Sequence, residues 1–170
     1  MRKRRFMVDT NVFIAAFKSG RTRTTDLLLK LLTDPGTELI VDDVLISEYR
    51  KWFAALTKRL PRIRAQATDL LNLILAKARL ASPDPEHIDM VMPHIPKKEV
   101  ADAYHAATCL KTGAVLITND KDFLELKKRG IIKVWTITEA IQELLNNDST
   151  PTNTQENTPK TSKTHHKEPS

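Results

Sequence analysis

The chain has 170 residues, 41% of them hydrophobic, enough to fill one core, so a single folded unit is expected. Its 27 Lys and Arg against 21 Asp and Glu leave a formal charge of +6, which points to an anionic partner, nucleic acid first. The lone Cys109 excludes an intramolecular disulfide and a multi-cysteine metal site, and no run approaches the roughly 18 apolar residues of a membrane span.

The start, MRKRRFMVD, is basic but has no apolar segment behind it, so it does not read as a secretory signal and a cytoplasmic protein is expected. Arg5–Val8 is a short apolar run ending at Asp9, read as a buried strand, and Asn11–Phe17 follows with helical character. Thr24–Thr33 is a strong helix stopped by Asp34-Pro35-Gly36, and Glu38–Val41 is a second strand. Asp42 or Asp43 caps the next helix, whose Leu45, Tyr49, Trp52, Phe53 and Leu56 keep the 3.6 period. Pro61 opens a helix over Arg62–Leu80, and the four prolines of Ser82–Pro96 mark an irregular connection. Lys97–Lys111 reads as a helix with Val100, Ala103, Ala107 and Leu110 on one face and Gly113 as its stop. Ala114–Thr118 is a strand, Lys121–Arg129 a helix ended by Gly130, Ile132–Ile137 a last strand and Thr138–Asn146 a closing helix.

From Asp148 onward the sequence contains no Leu, Ile, Val or aromatic residue and cannot offset its own ordering entropy. Residues 148–170 are therefore expected to be a disordered polar tail behind a domain of residues 1–147. The tail carries three lysines and three acids, so the domain keeps the whole surplus of +6.

Strands that are continuous apolar runs, alternating with helices, predict an α/β fold: a central, mostly parallel sheet in a three-layer α/β/α sandwich. In such a sheet the helices run antiparallel to the strands, so helix N-termini and strand carboxyl ends share one rim, where ligands bind. Asp9 directly follows the first strand, and Asp120 and Asp122 follow Ala114–Thr118. Glu48 and Asp102 each lie four or five residues into a predicted helix, and helical side chains lean back toward the N-terminus. Taken singly, each acid also reads as an ordinary cap, turn or solvated helix residue. Together they converge, and convergence of like charges is costly without a cation. Hard oxygen donors with no His or Cys among them favour Mg²⁺ or Mn²⁺, ions suited to phosphodiester hydrolysis.

Four segments carry these acids: FMVDTNVFIAAF, VLISEYRKWF, EVADAYHAATCL and VLITNDKDF. In order and spacing, over about residues 5–140, they resemble the motifs of PIN-domain nucleases, a family that includes the VapC-type toxins of prokaryotic toxin–antitoxin pairs. The resemblance implies a metal-dependent endoribonuclease whose catalytic and metal-binding acids are Asp9, Glu48, Asp102 and Asp120, with Asp122 as an additional metal ligand. Thr10, Asn11, Thr118 and Asn119 fall where the family has polar residues that support carboxylates or touch substrate. It also implies RNA as substrate, a cognate antitoxin as partner and a homodimer. A housekeeping PIN ribonuclease of ribosomal or transfer RNA processing and a non-catalytic RNA-binding module are the alternatives. A phosphoacceptor domain also places Asp at strand ends, but it would leave Glu48 without a role.

Other conspicuous residues are read more plainly. His105, three residues after Asp102, is expected to serve packing or the surface, and Cys109 to be a small buried hydrophobe. Arg50 and Lys51 beside Glu48, with Lys97 and Lys98 opening the Asp102 helix, are candidates to hold RNA phosphates. Arg2–Arg5 and Lys58–Arg64 are further basic runs. Aromatic residues make up 5% of the chain and fit core positions, so base stacking is expected to add little.

Overall fold

The structure is a computed structural model and describes residues 2–18 and 22–147; the predicted polar tail lies outside the described residues. Five parallel strands, β1 (Arg4–Val8), β2 (Thr37–Val41), β3 (Arg79–Leu80), β4 (Val115–Ile117) and β5 (Val134–Trp135), form one sheet in the order β3-β2-β1-β4-β5. The inner residues of β1, β2 and β4 are buried, as continuous apolar runs in a sheet covered on both faces must be. One layer places α2 (Arg23–Thr33) against β2, α4 (Arg64–Lys77) and α8 (Ile137–Ile141). The other places α6 (Val100–Thr112) against β4, α3 (Asp43–Arg59) and α5 (Pro85–Val91). The expected α/β/α sandwich is thus what the chain forms, with α1 (Thr10–Lys18) and α7 (Leu124–Lys128) completing it.

The strand order reverses direction between β1 and β4. Chain order runs outward from β1 to β2 and β3, then crosses back to β4 and β5. That reversal opens a crevice beyond the carboxyl ends of β1 and β4, the switch point at which open α/β sheets bind ligands. Asp9 N–H donates to the Ile117 carbonyl at 3.0 Å, which seats the residue after β1 against the end of β4.

Several predicted boundaries move, each for a local reason. The helix expected over Arg62–Leu80 is a 3₁₀ turn at Pro61–Ile63 and then α4; Arg79–Leu80 leaves it to become the edge strand β3. The irregular connection Ser82–Pro96 contains α5, because Asp84 caps it and Pro85 sits at the first helical position, where no N–H is needed. The helix expected from Lys97 begins at Val100: Lys97 and Lys98 have φ of 53° and 47°, and Glu99 is extended. Val100, expected on the apolar face, is 69% exposed. The last strand is only two residues long because Thr136 and Glu139 close a capping box that starts α8 at Ile137, and a π-helical stretch, Gln142–Asn146, follows. Gly113, at φ 72°, ends α6 as expected.

Beneath the crevice Tyr49 is fully buried and its hydroxyl donates to the carbonyl of Val8, the residue before Asp9. Its ring packs edge-on against Phe13, with centroids 4.9 Å apart. Tyr49→Phe should keep the packing but orphan that acceptor, lowering unfolding free energy by roughly 1–3 kcal/mol in urea denaturation.

Candidate active site: a carboxylate rim at the sheet switch point

Each acid reaches the rim from a different element. Asp9 follows β1, and its Oδ2 accepts from Thr118 Oγ1 at 2.7 Å and from Asn11 Nδ2 at 3.2 Å. Asp120 follows β4; its N–H donates to Thr118 Oγ1 at 3.0 Å and its Oδ1 accepts from Asp122 N–H at 2.9 Å. Asp120 is thereby the cap of the 3₁₀ turn Lys121–Phe123, which aims Asp122 back at the rim. Asp102 is the third residue of α6, nearer the helix start than the sequence implied, and Glu48 is the sixth of α3. Both helix N-termini face this edge, so their dipoles favour the carboxylates.

Carboxylate oxygens of Asp102, Asp120 and Asp122 all lie within 4.8 Å of one another, a spacing one cation can bridge. Asp9 stands beside this trio, close enough to act on Asp102 electrostatically, and Glu48 acts in turn on Asp9. Burial, then the charges of Asp120 and Asp9, raise the Asp102 carboxyl to about 6. Burial also raises Asp9, against the opposing hydrogen bond from Thr118. Carboxylates that hold protons this well are short of positive charge, and the donor set is entirely hard oxygen. Asn11 Oδ1 adds a buried acceptor with no hydrogen-bond partner among the described residues. The residues present fit a divalent hard cation.

The supporting residues divide. Thr118 and Asn11 brace Asp9 and each other, Nδ2 to Oγ1 being 3.2 Å, and Thr10 Oγ1 lies 3.5 Å from Glu48 Oε2. Asn119 instead accepts from the N–H of Ile137 at 3.0 Å, tying the end of β4 to the start of α8.

His105 differs most from its sequence reading. It is buried, 3% exposed, and its Nδ1 lies 2.7 Å from Oδ2 of the fully buried Asp42, while Nε2 lies 3.3 Å from both Glu48 oxygens. Asp42 also caps α3 by accepting from Leu45 N–H at 2.7 Å. Desolvation alone would depress the imidazolium, but pairing with Asp42 and Glu48 outweighs it and raises His105 to about 10. A spacing of three residues from Asp102 on one helix was the available signal, since i and i+3 share a face. Cys109 is buried as expected, its thiol 3.7 Å from Met7 Sδ, and burial pushes its pKa up.

The fold and this rim define an α/β protein with an acidic, cation-ready site at its switch point. The sequence matches the model of the PIN domain over residues 6–129, and the chain belongs to the PIN-domain family. Among solved structures it is similar to VapBC2 from Rickettsia felis bound to a DNA fragment from their promoter, at 14% identity and a TM-score of 0.52. That match covers 78% of this chain and 98% of the other. VapBC-1 from nontypeable Haemophilus influenzae aligns at 18% identity and 0.55, over 79% and 98%. FitAB bound to the IR36 DNA fragment aligns at 19% and 0.55, over 78% and 94%. At these identities the likeness is one of fold. Curated proteins give no match to the sequence. Among the described residues no helix is long and apolar enough to cross a membrane.

Two outcomes follow from the buried charges. Replacing His105 by Gln removes the cation between Asp42 and Glu48 and should cost on the order of 3 kcal/mol. With a folded value near 10 against 6.5 unfolded, that contribution is complete below about pH 6.5 and is lost as pH rises toward 10. Urea titrations of parent and variant in EDTA should therefore converge across that window. Asp102 has the opposite sign. Its ionisation costs stability above about pH 6 and nothing below about 4, so Asp102→Asn should melt higher than the parent at pH 8 in EDTA and equally at pH 3.8.

Proposed function

We propose that this chain is a Mg²⁺- or Mn²⁺-dependent endoribonuclease and the toxin of a toxin–antitoxin pair, with residues 1–147 as its catalytic unit, working in the cytoplasm. The observation that carries the reading is the carboxylate trio Asp102, Asp120 and Asp122, gathered within 4.8 Å at the switch point of a PIN-domain sheet. Likeness to chains from VapBC and FitAB structures supports the toxin assignment and a protein antitoxin as partner, and a homodimer is part of the same reading.

Asp9, Asp102, Asp120 and Asp122 would hold the cation, with Glu48 completing the set from α3. A divalent ion there supplies Lewis acidity to an attacking water and to the departing oxygen of the phosphodiester. The protein's own groups do the rest. Thr118 and Asn11 fix the Asp9 carboxylate in one orientation, so it meets the ion without first reorganising. His105 holds Glu48 by both oxygens and Thr10 by one, which limits the rotamers Glu48 can take. Arg50, Lys51 and Lys121, all exposed beside site residues, place cations where RNA phosphates would approach, and Lys97 and Lys98 do so from the loop before α6. The left-handed backbone at Lys97 and Lys98 turns that loop sharply just ahead of the helix carrying Asp102.

Single-stranded RNA incubated with the protein should be cut in Mg²⁺ or Mn²⁺ and left intact in excess EDTA, while DNA of the same sequence survives. Asp9→Asn, Glu48→Gln, Asp102→Asn and Asp120→Asn should each lose about 10- to 100-fold or more in rate while staying folded. Induced expression of the parent, but not of Asp9→Asn, should arrest growth. Full cleavage in EDTA, or parental rates in all four variants, would remove the reading.

A further inference from the structure

The edge of the sheet opposite the carboxylates is basic. Strand amino ends gather there, and two adjoining depressions of about 220 and 460 Å³ run along it, joined through Arg2–Arg4. Some of its cations serve the fold. Helix carboxyl ends point to this edge, and Arg5 donates to the Thr112 carbonyl at 2.8 Å, at the end of α6. Arg5 and Arg79 also neutralise Glu38, and Lys30 pairs with Asp34.

Four cations are left over. Among the described residues the side chains of Arg2, Lys3 and Lys133 have no hydrogen-bond or ion-pair partner. Arg4 has only rings beneath it, its guanidinium 5.4 Å from the centroids of both Phe6 and Trp135. Lys77, whose Nζ donates to the Asp34 carbonyl at 2.7 Å, sits below its usual range because of burial, and Lys3 is close enough to add a smaller repulsion. Trp135 is half-buried and lines the smaller depression together with Arg4 and Lys133. Unpaired cations around a partly open aromatic face are the composition of a single-strand nucleic-acid contact.

We propose that this amino edge, centred on Arg2, Lys3, Arg4, Lys133 and Trp135, is a second RNA contact that grips the phosphate backbone of a segment remote from the scissile bond. The proposal rests on the nuclease reading of the carboxylate rim and adds to it a preference for long substrates. From Arg4 to Asp9 the chain runs through β1, about 16 Å at 3.3 Å per residue. A path over the surface is longer still, so only an extended or folded-back RNA spans both edges. A few nucleotides held at the carboxylates cannot.

The test uses the full chain carrying Arg2→Gln, Lys3→Gln and Lys133→Gln, three exposed side chains whose loss leaves no buried group unpaired. Binding of a fluorescein-labelled 40-nucleotide RNA is read by anisotropy in EDTA over a salt series, which needs no catalysis. The variant should bind at least tenfold more weakly at low salt, and the slope of log K against log salt should fall by about 2, at roughly 0.7 per phosphate contact. Cleavage of a hexanucleotide in Mn²⁺ should stay within twofold of the parent. In a Trp52→Phe background, Trp135 emission should change on adding the 40-mer and not the hexamer. Parental affinity and salt slope for the 40-mer would overturn the proposal. So would an equal loss of hexamer cleavage, which would put these cations at the carboxylate rim. If the parent cleaves no RNA the nuclease reading fails, while the EDTA binding series still decides whether this edge contacts RNA.

Discussion

Mutual repulsion among five carboxylates is the constraint around which this molecule is built. A parallel sheet with strands ending at Val8 and Ile117 delivers Asp9 and Asp120 to one rim, and the antiparallel helices α3 and α6 deliver Glu48 and Asp102 to the same place. The 3₁₀ turn after β4 adds Asp122. Nothing about sheet geometry makes that gathering favourable. Burial, with the neighbouring charges of Asp120 and Asp9 added to it, raises Asp102 to about 6, and burial raises Asp9 above its ordinary value. What makes it tolerable is local: two helix N-termini, the Thr118 hydroxyl, the Asn11 amide and one buried imidazolium. The residual deficit of positive charge is the property that suits the rim to a divalent ion.

The imidazolium ties the packing of two helices to the geometry of the site. Asp42 caps α3 with one oxygen and holds His105 of α6 with the other, so one carboxylate fixes the relative placement of the two helices that bring Glu48 and Asp102. His105 then reaches Glu48 itself. Stability and site geometry therefore share a residue, and a substitution there changes both. Part of the surplus of positive charge lies on the opposite edge of the sheet, at Arg2, Lys3, Arg4 and Lys133. A basic protein with an acidic site has to separate its charges in this way, because cations packed among the carboxylates would compete with the metal ion.

Much of this was legible in the sequence, and the failures have physical causes. Apolar continuity identified β1, β2 and β4 because those strands are buried on both faces, whereas β3 is two exposed residues and carries no hydrophobic signal. Prolines in 82–96 suggested an irregular segment, yet Pro85 starts a helix, since proline obstructs a helix only beyond its first turn. The start of α6 depends on left-handed φ at two lysines, which no propensity anticipates. Each of the five acids could be placed at the rim from its position after a strand or early in a helix. For His105 the spacing from Asp102 marks only a shared helix face, and its pairing depends on Asp42, 63 residues away. Asn119 shows the converse, a motif position whose side chain serves the start of α8.

The most direct test is to locate the ion. A crystal of the protein grown with Mn²⁺ and measured at the manganese absorption edge would show anomalous density wherever the metal sits. A peak is expected between Asp102, Asp120 and Asp122, with carboxylate oxygens at roughly 2.0–2.2 Å, the range of small hard divalent ions. The structure holds a second acidic group that could compete, Asp84, Glu86 and His87 at the start of α5. A peak only there, or none at the rim at saturating Mn²⁺, would contradict the assignment of the switch-point carboxylates as the metal centre.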